Sequence, residues 1–261
     1  MKRKIYTVLS IILLVLGGVF FYLYYNDGLY AIDSKYKNEA VRDIVVEETE
    51  DPLDRRIDFE KLKAINEDVV GWIYMPDSTI DYPILIGSED ETYLKKDIYK
   101  EYNPLGSIFS YSNTKKDLSD GHVMLFGHNM ANNQMFGELR KFINSDEFKQ
   151  EHRKFYIYLE NKTLELDIAS IFICSEDDIM FQIGRELGTS DYVEFVTSLL
   201  GRNKYFDYQL EGSKISVTDS QIFSLVTCYG SEGTTERLVV NGGVVREKYY
   251  IRNQNRVNLN D

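Results

Sequence analysis

The sequence predicts a mainly β domain with added helices, arranged as a single barrel or sandwich. Short runs rich in β-branched and aromatic residues alternate with turn residues, and only a few stretches show helical spacing of apolar positions. Many short strands with few helices are typical of barrels and sandwiches. The order of these segments is not a βαβα repeat, so a doubly wound parallel sheet is disfavoured.

Length, composition and charge narrow the class of protein further. The 261 residues suit one domain of ordinary size or two small ones. With 30 Lys+Arg against 42 Asp+Glu, the net charge of -12 argues against a nucleic-acid-binding face. The 43% hydrophobic content argues against disorder, and two cysteines are too few for a disulfide scaffold or a four-cysteine zinc site.

The N-terminus has the pattern of a membrane anchor. Residues 1–4 form a basic flank, and residues 5–25 carry no charge over about 30 Å of helix, close to the thickness of a bilayer core. The positive-inside rule places Met1 in the cytoplasm and everything after Tyr25 outside. The alternative is a cleaved signal peptide, which has a shorter apolar core and small residues at its cleavage site. We therefore expect a single-pass membrane protein exposed on the extracellular face.

The exported part divides into a stalk, a folded domain and a tail. Residues 26–56 are polar and mostly acidic and predict an extracellular stalk, with a helical stretch around residues 34–42. Asp58 predicts the cap of a short helix at the start of the folded domain, which covers residues 57–252 and precedes a polar tail, 253–261. Helices are also predicted over residues 134–143 and 190–200. The predicted strands cover residues 69–75, 80–86, 107–111, 122–126, 155–159, 163–173, 214–218, 221–228 and 237–246.

The two cysteines differ in their local sequence. Cys174 ends an apolar run and is expected to be a small core residue. Cys228 ends a strand and is followed by a loop with two glycines, and strand ends are where rigid scaffolds present reactive groups. Because the domain is expected outside the cell, a Cys174–Cys228 disulfide remains an alternative.

Arg237 opens the strand that follows this loop. If residues 225–228 and 237–240 pair as an antiparallel hairpin, Cys228 and Arg237 lie opposite one another on one face, with Cβ atoms about 5 Å apart. A guanidinium there favours the thiolate and offers donors to an oxyanion. The alternative is a surface arginine paired with Glu236 or Glu232.

A cysteine nucleophile needs a base, which is usually a histidine. His128 follows an apolar strand and a glycine, a context similar to that of Cys228. His122 begins that same strand, and His152 lies in a charged stretch where it is expected to be exposed. No third ligand has metal spacing, so neither a metal site nor another cofactor is expected.

Three segments together resemble the sortase family. Thr227 and Cys228, followed by Arg237 nine residues after the cysteine, resemble its signature, and residues 126–130 around His128 resemble its histidine segment. Residues 106–109, 134–136 and the helix over 190–200 are similar to class B members. The resemblance implies an eight-stranded β-barrel over residues 57–252, with an N-terminal helix and a helix between late strands.

The resemblance also implies a function, that of a membrane-anchored cysteine transpeptidase of Gram-positive bacteria. Such an enzyme cleaves a C-terminal sorting motif of a secreted protein after Thr, often of the Asn-Pro-x-Thr type in class B. It forms a thioacyl intermediate and transfers the protein to an amine of a peptidoglycan precursor. The alternatives are a membrane-anchored cysteine peptidase that uses water, and a non-enzymatic surface binding module stapled by the two cysteines.

Residue roles follow from the same resemblance. Cys228 is the implied nucleophile, His128 the general acid and base, and Arg237 the group that holds substrate and oxyanion. Many class B members carry an Asn near the position of Asp90, so the segment around Asp90 departs from the family pattern. Substrate contacts are expected from four neighbours of these residues: Thr227, Leu225, Asn129 and Tyr229.

Overall fold

The computed structural model describes residues 2–182, 184–206, 214–230 and 233–250. Helix α1 covers Lys2–Val45, and a two-stranded sheet of β1 (Val46–Glu47) and β2 (Arg56–Ile57) follows. Helix α2, Phe59–Ile65, begins at the predicted cap, where the Asp58 side chain accepts a hydrogen bond from the Lys61 N–H. The eight strands after it are β3 Val69–Tyr74, β4 Asp81–Leu85, β5 Ile108–Phe109, β6 His122–Phe126, β7 Lys154–Tyr158, β8 Lys162–Ser175, β9 Ile222–Cys228 and β10 Glu236–Tyr249.

These eight strands form one closed barrel, in the order β10-β8-β7-β3-β4-β5-β6-β9. Most neighbours are antiparallel, but β4 pairs with β5 and β6 pairs with β9 in parallel. Closure leaves no sheet edge unpaired, and side chains alternate between the inside and the outside of the barrel. The predicted eight-stranded barrel is confirmed.

Alternation along each strand divides the core into layers. On β9, Phe223 and Leu225 point into the barrel, where every strand contributes to one apolar cluster. Ile222 and Val226 point outward into a second cluster, which is covered by helix α5, Ser190–Gly201. A third cluster lies under α1 and α2 on another outer face. The helix predicted over residues 190–200 is therefore confirmed, and its role is to seal one side of the barrel.

Helix α1 extends well beyond the predicted anchor. Its portion from Leu9 onward contains a window with a mean hydropathy of 1.8, long and apolar enough to cross a membrane. Its last turns pack on the barrel, where Val41 and Val45 are buried and Lys37 forms ion pairs with Asp97 and Glu101. The acidic segment predicted to be a stalk is thus helical up to Val45 and in contact with the folded domain.

Three local predictions are wrong. Residues 214–218 form a turn rather than a strand, because the Ser216 hydroxyl accepts the N–H groups of Thr218 and Asp219. The helix predicted over 134–143 starts only at a 3-10 turn, Gly137–Arg140, and continues as α3, Lys141–Asn144, because Met135 has a φ of +53°. His152, expected to be exposed, is buried at the end of α4 (Asp146–Glu151).

A buried polar chain crosses four strands beneath α5. Ser224 donates to Asn241 Oδ1 at 2.6 Å, and Asn241 donates to Ser170 Oγ at 2.9 Å. Because the Ser224 hydrogen is used in this way, the His122 Nε2–H must donate to Ser224 Oγ at 2.8 Å. His122 Nδ1 has no hydrogen-bond partner among the described residues. Burial, with a contribution from the charge of Arg185, lowers the pKa of His122 to about 3.

This histidine makes stability depend on pH. In the unfolded chain His122 takes up a proton near pH 6.5, whereas the folded pKa is about 3, so the unfolded state binds more protons between these values. The free energy of unfolding is expected to fall on acidification through this window, by up to about 1.4 kcal/mol per pH unit. Urea unfolding in detergent from pH 6.5 to 5, where most carboxylates stay ionised, measures the slope.

The matched variant is His122→Asn, which removes the titrating group from the chain of buried polar side chains. Its unfolding free energy is expected to depend less steeply on pH in the same window, whatever its absolute stability. Equal slopes for the native chain and the variant would contradict this account of His122.

Candidate active site

The candidate active site lies where β6 and β9 end side by side. Because these strands run parallel, with Phe126 opposite Val226, the segments that follow them leave the same edge of the barrel. The Gly127 N–H donates to Val226 O at 3.2 Å, and the Thr227 hydroxyl donates to Gly127 O at 2.7 Å. A Cβ at Gly127 would lie 2.5 Å from Ile108 Cδ1 and 2.9 Å from the Phe136 ring, so a larger residue would force these buried side chains to move.

Cys228 and Arg237 face each other across β9 and β10. The register pairs Cys228 with Arg237 and Leu225 with Val240, as predicted for the hairpin. Directly opposed residues of an antiparallel pair share a face of the sheet. Cys228 is a free, half-buried thiol on the outer face of the barrel.

The Arg237 guanidinium is held by three groups. Its Nη1 donates to Thr234 O at 2.7 Å and to Glu236 O at 3.0 Å, and its Nη2 donates to the carboxylate of Glu176. The expected alternative of a surface ion pair with Glu236 or Glu232 takes a different form. Glu236 contacts the guanidinium through its backbone carbonyl and not through its carboxylate, and Glu232 lies outside the described residues.

His128 lies two residues beyond the end of β6 and contacts a carbonyl. Its Nε2 is 2.8 Å from Leu94 O. A carbonyl oxygen only accepts, so Nε2 carries a hydrogen and Nδ1 is the nitrogen left to exchange protons. The bond therefore fixes both the orientation of the imidazole and the tautomer of its neutral form.

The loop after His128 is fixed by Arg140, a residue that the sequence analysis did not single out. Arg140 Nη1 donates to Met130 O and Gly137 O, both at 2.8 Å, and Nη2 donates to Ala131 O at 2.8 Å. Both Nη groups also reach side-chain oxygens, at Asn129 and Asn133. Because the acceptors are mostly backbone carbonyls, which every residue has, no pattern of side chains in the sequence predicts these contacts.

Asn129 connects this loop to the cysteine. Its Nδ2 donates to Cys228 O at 2.9 Å, which ties the histidine loop to the end of β9. Of the predicted substrate contacts, Thr227 lines the cleft and Asn129 lies beside it in this linking role. Leu225 does not reach the cleft, because it points into the barrel and is 0% exposed. Tyr229 packs its ring against the interior cluster and is not among the cleft-lining residues described.

A cleft of about 450 Å³ joins these groups. Phe126 forms one wall and packs against Tyr111 and Phe109, with ring centroids 4.7 and 5.6 Å away. Asp90 lies on the rim, where its Oδ1 accepts both the N–H and the hydroxyl of Ser112. The residues lining the cleft are Asp90, Glu91, Leu94, Phe109, Tyr111, Phe126, Gly127, His128, Glu176, Phe181, Val226, Thr227, Cys228 and Arg237.

The second cysteine is a core residue and does not form a disulfide. Arg237 is paired with Cys228 on one side and with Cys174 on the other, so the two cysteines are separated by a whole strand. Two strand spacings place their Cα atoms about 9 to 10 Å apart, too far for a disulfide. The Sγ of Cys174 lies 3.7 Å from Met180 Sδ, and burial raises the pKa of this thiol to about 11. The stapled binding-module hypothesis is therefore wrong.

Comparison with known families now defines the class of protein. A model of the sortase domain matches residues 73–245. Over the described ranges, no group of three or more His, Cys, Asp or Glu side chains is arranged to hold a metal ion. The chain belongs to the sortase family, whose members are cysteine transpeptidases.

Individual relatives place the chain in class B of that family. Sortase B of Listeria monocytogenes is 29% identical over 254 residues, covering 94% of this chain and 99% of the relative. Sortase B of Staphylococcus aureus is 29% identical over 196 residues, covering 73% and 76%. The crystal structure of sortase B from B. anthracis superposes with a TM-score of 0.69 at 24% identity, covers 84% of this chain and 99% of that one, and supports the same fold.

The contacts of Arg140 predict a stability effect. Arg140→Lys replaces a planar fork of donors by a single ammonium, which cannot reach the same set of acceptors. We expect the free energy of unfolding to fall by about 2 kcal/mol, the scale of a few hydrogen bonds to a charged group. Urea unfolding measures this loss.

The matched control is Arg42→Lys, because the contacts of Arg42 to Asp43 and Asp81 are 3.8 and 4.0 Å long and near the surface. That change is expected to alter stability by less than about 0.5 kcal/mol. Equal effects of the two substitutions would contradict the role assigned to Arg140.

Proposed function

We propose that this transpeptidase cleaves a C-terminal sorting motif of secreted proteins after Thr and transfers the protein to a peptidoglycan amine. One observation carries the proposal: Cys228, Arg237 and His128 line the same cleft, the first two directly opposed across β9 and β10. The motif of the Asn-Pro-x-Thr type is the family expectation for class B. Metal and cofactor have no part in the proposed steps.

The first half-reaction forms a thioester. His128 Nδ1 takes the proton of the Cys228 thiol, the resulting thiolate attacks the Thr carbonyl carbon, and negative charge develops on the carbonyl oxygen. N–H groups of Arg237 stabilise that oxyanion, because a hydrogen bond from a fixed, charged donor strengthens as negative charge develops on the acceptor. His128 then gives its Nδ1 proton to the leaving amine, the C–N bond breaks, and the C-terminal fragment departs.

The second half-reaction passes the acyl group to an amine. His128, now neutral, accepts a proton from the incoming amine as its nitrogen attacks the thioester carbon. The C–S bond breaks, the thiolate of Cys228 returns, and a new amide links the secreted protein to its acceptor. The Leu94 carbonyl supports both steps because it keeps Nε2 as the fixed donor, leaving Nδ1 for proton transfer.

The location proposed for this chemistry is the outer face of the cell membrane. The apolar part of α1 is long enough to act as an uncleaved anchor, and Lys2, Arg3 and Lys4 before it favour a cytoplasmic N-terminus. Helix α1 continues without a break into contact with the barrel. The domain boundaries proposed are those given by the sequence: flank 1–4, anchor 5–25, stalk 26–56, catalytic domain 57–252 and tail 253–261.

Substitutions test the three roles. Cys228→Ala is expected to abolish turnover of a sorting-motif peptide, and His128→Ala and Arg237→Ala each to lower kcat/KM at least about 100-fold. Cys174→Ala removes the other thiol, which lies in the outer core layer, and is expected to keep most of the activity. A near-native rate for Arg237→Ala would refute its assigned role, and an inactive but folded Cys174→Ala would overturn the assignment of a single nucleophile.

The acceptor is tested by competition between an amine and water. The full chain in detergent is given a library of sorting-motif peptides, with and without a millimolar glycine-type amine. Products containing the amine are expected by mass spectrometry, at the expense of the free acid. If only the hydrolysed acid forms at every amine concentration, the proposed amine acceptor is wrong and water is the acceptor.

A further inference from the structure

Glu176 lies next to Arg237 but belongs to none of the segments that define the family resemblance. It follows Ser175, the last residue of β8, which pairs with Glu236. The Glu176 N–H donates to Thr235 O at 2.8 Å, and its Oε2 accepts from Arg237 Nη2. Backbone and side chain therefore fix Glu176 to the start of β10 at two points, on the strand side opposite Cys228.

The contacts of the guanidinium leave a defined set of donors for substrate. Arginine has five N–H groups in one plane. In the described contacts two Nη1 bonds go to carbonyls and one Nη2 bond goes to Glu176, which leaves Nε–H and the second Nη2–H. Bonds at both ends of the fork hold its plane, so the two remaining donors keep one direction.

We propose that Glu176 is a positioning residue that orients Arg237 toward the oxyanion and weakens the electrostatic effect of the Arg237 charge on Cys228. This inference rests on the role proposed above for Arg237. It adds the Glu176 carboxylate to the groups on which the rate depends. Glu176 lines the cleft together with Cys228 and Arg237, and the described contacts do not link it to His128.

Orientation and charge are separable effects. A guanidinium on the residue directly opposite the thiol favours the thiolate, and a carboxylate paired with that guanidinium weakens its field. Glu176→Gln keeps an amide oxygen able to accept from Nη2 but removes the negative charge. Glu176→Ala removes both, so the fork loses one of its three supports.

The experiment compares these variants as full chains in detergent. Glu176→Ala is expected to lower kcat for peptide transfer about 10-fold with little change in KM. The reason is that a poorly oriented Arg237 weakens its hydrogen bond to the oxyanion, which forms only in the transition state. Glu176→Gln is expected to recover most of that kcat. In both variants the pH at which Cys228 alkylation by iodoacetamide reaches half its maximal rate is expected to fall, because the guanidinium field is no longer weakened by a carboxylate. A purely structural role does not produce this shift.

Asp177→Asn is the matched control. It removes the same charge one residue further along, at an exposed side chain for which no contact to Arg237 is described. It is expected to leave kcat and the alkylation profile unchanged. If Asp177→Asn shifts the profile as far as Glu176→Gln does, the effect is general surface charge and the inference is overturned.

A double variant separates failure of this inference from failure of the proposed function. If Glu176 acts through Arg237, then Glu176→Ala adds nothing to the loss already caused by Arg237→Ala. Full additivity of the two losses would overturn the positioning role and leave the role of Arg237 intact. Native activity of Arg237→Ala itself would instead refute the part of the proposed function that gives Arg237 the oxyanion role.

Discussion

The parallel pairing of β6 with β9 is the constraint on which the site depends. The two strands are about 100 residues apart in sequence, yet Phe126 lies opposite Val226 and both chains leave the barrel at one edge. Had they run antiparallel, the ends carrying His128 and Cys228 would lie at opposite edges. The antiparallel pairing of β9 with β10 then adds Arg237 beside Cys228. Strand β9, parallel to β6 on one side and antiparallel to β10 on the other, thus brings Cys228, His128 and Arg237 to one edge of the barrel.

The parts of this arrangement that the sequence predicts are those set by local spacing. The bounds of β6 agree residue for residue, and the opposition of Cys228 and Arg237 follows from the length of one hairpin. The strand predicted over residues 214–218 is a turn in the structure. Ser216 forms hydrogen bonds within its own turn, and such local bonds compete with a sheet.

The parts that it could not predict depend on long-range contacts and on backbone acceptors. Leu94 O orients His128, and Arg140 donates chiefly to carbonyls, which every residue type possesses. In the same way the sequence predicts an extracellular stalk before the barrel and gives no sign of its contacts with the folded domain. Arg55 within it is 1% exposed, paired with Asp81 at 2.8 Å and stacked over Tyr74, and these partners follow it in the chain by 26 and 19 residues.

The strand that separates the two cysteines has a consequence for redox chemistry. A thiol that acts as a nucleophile is also the one most readily oxidised, first to a sulfenic acid. Many such thiols are rescued by a resolving cysteine that closes a disulfide. Cys174 cannot serve, since Arg237 stands between it and Cys228 in the register and its own thiol is buried. Recovery of an oxidised enzyme therefore depends on a thiol supplied by another molecule, and the environment of the protein sets how long it stays active.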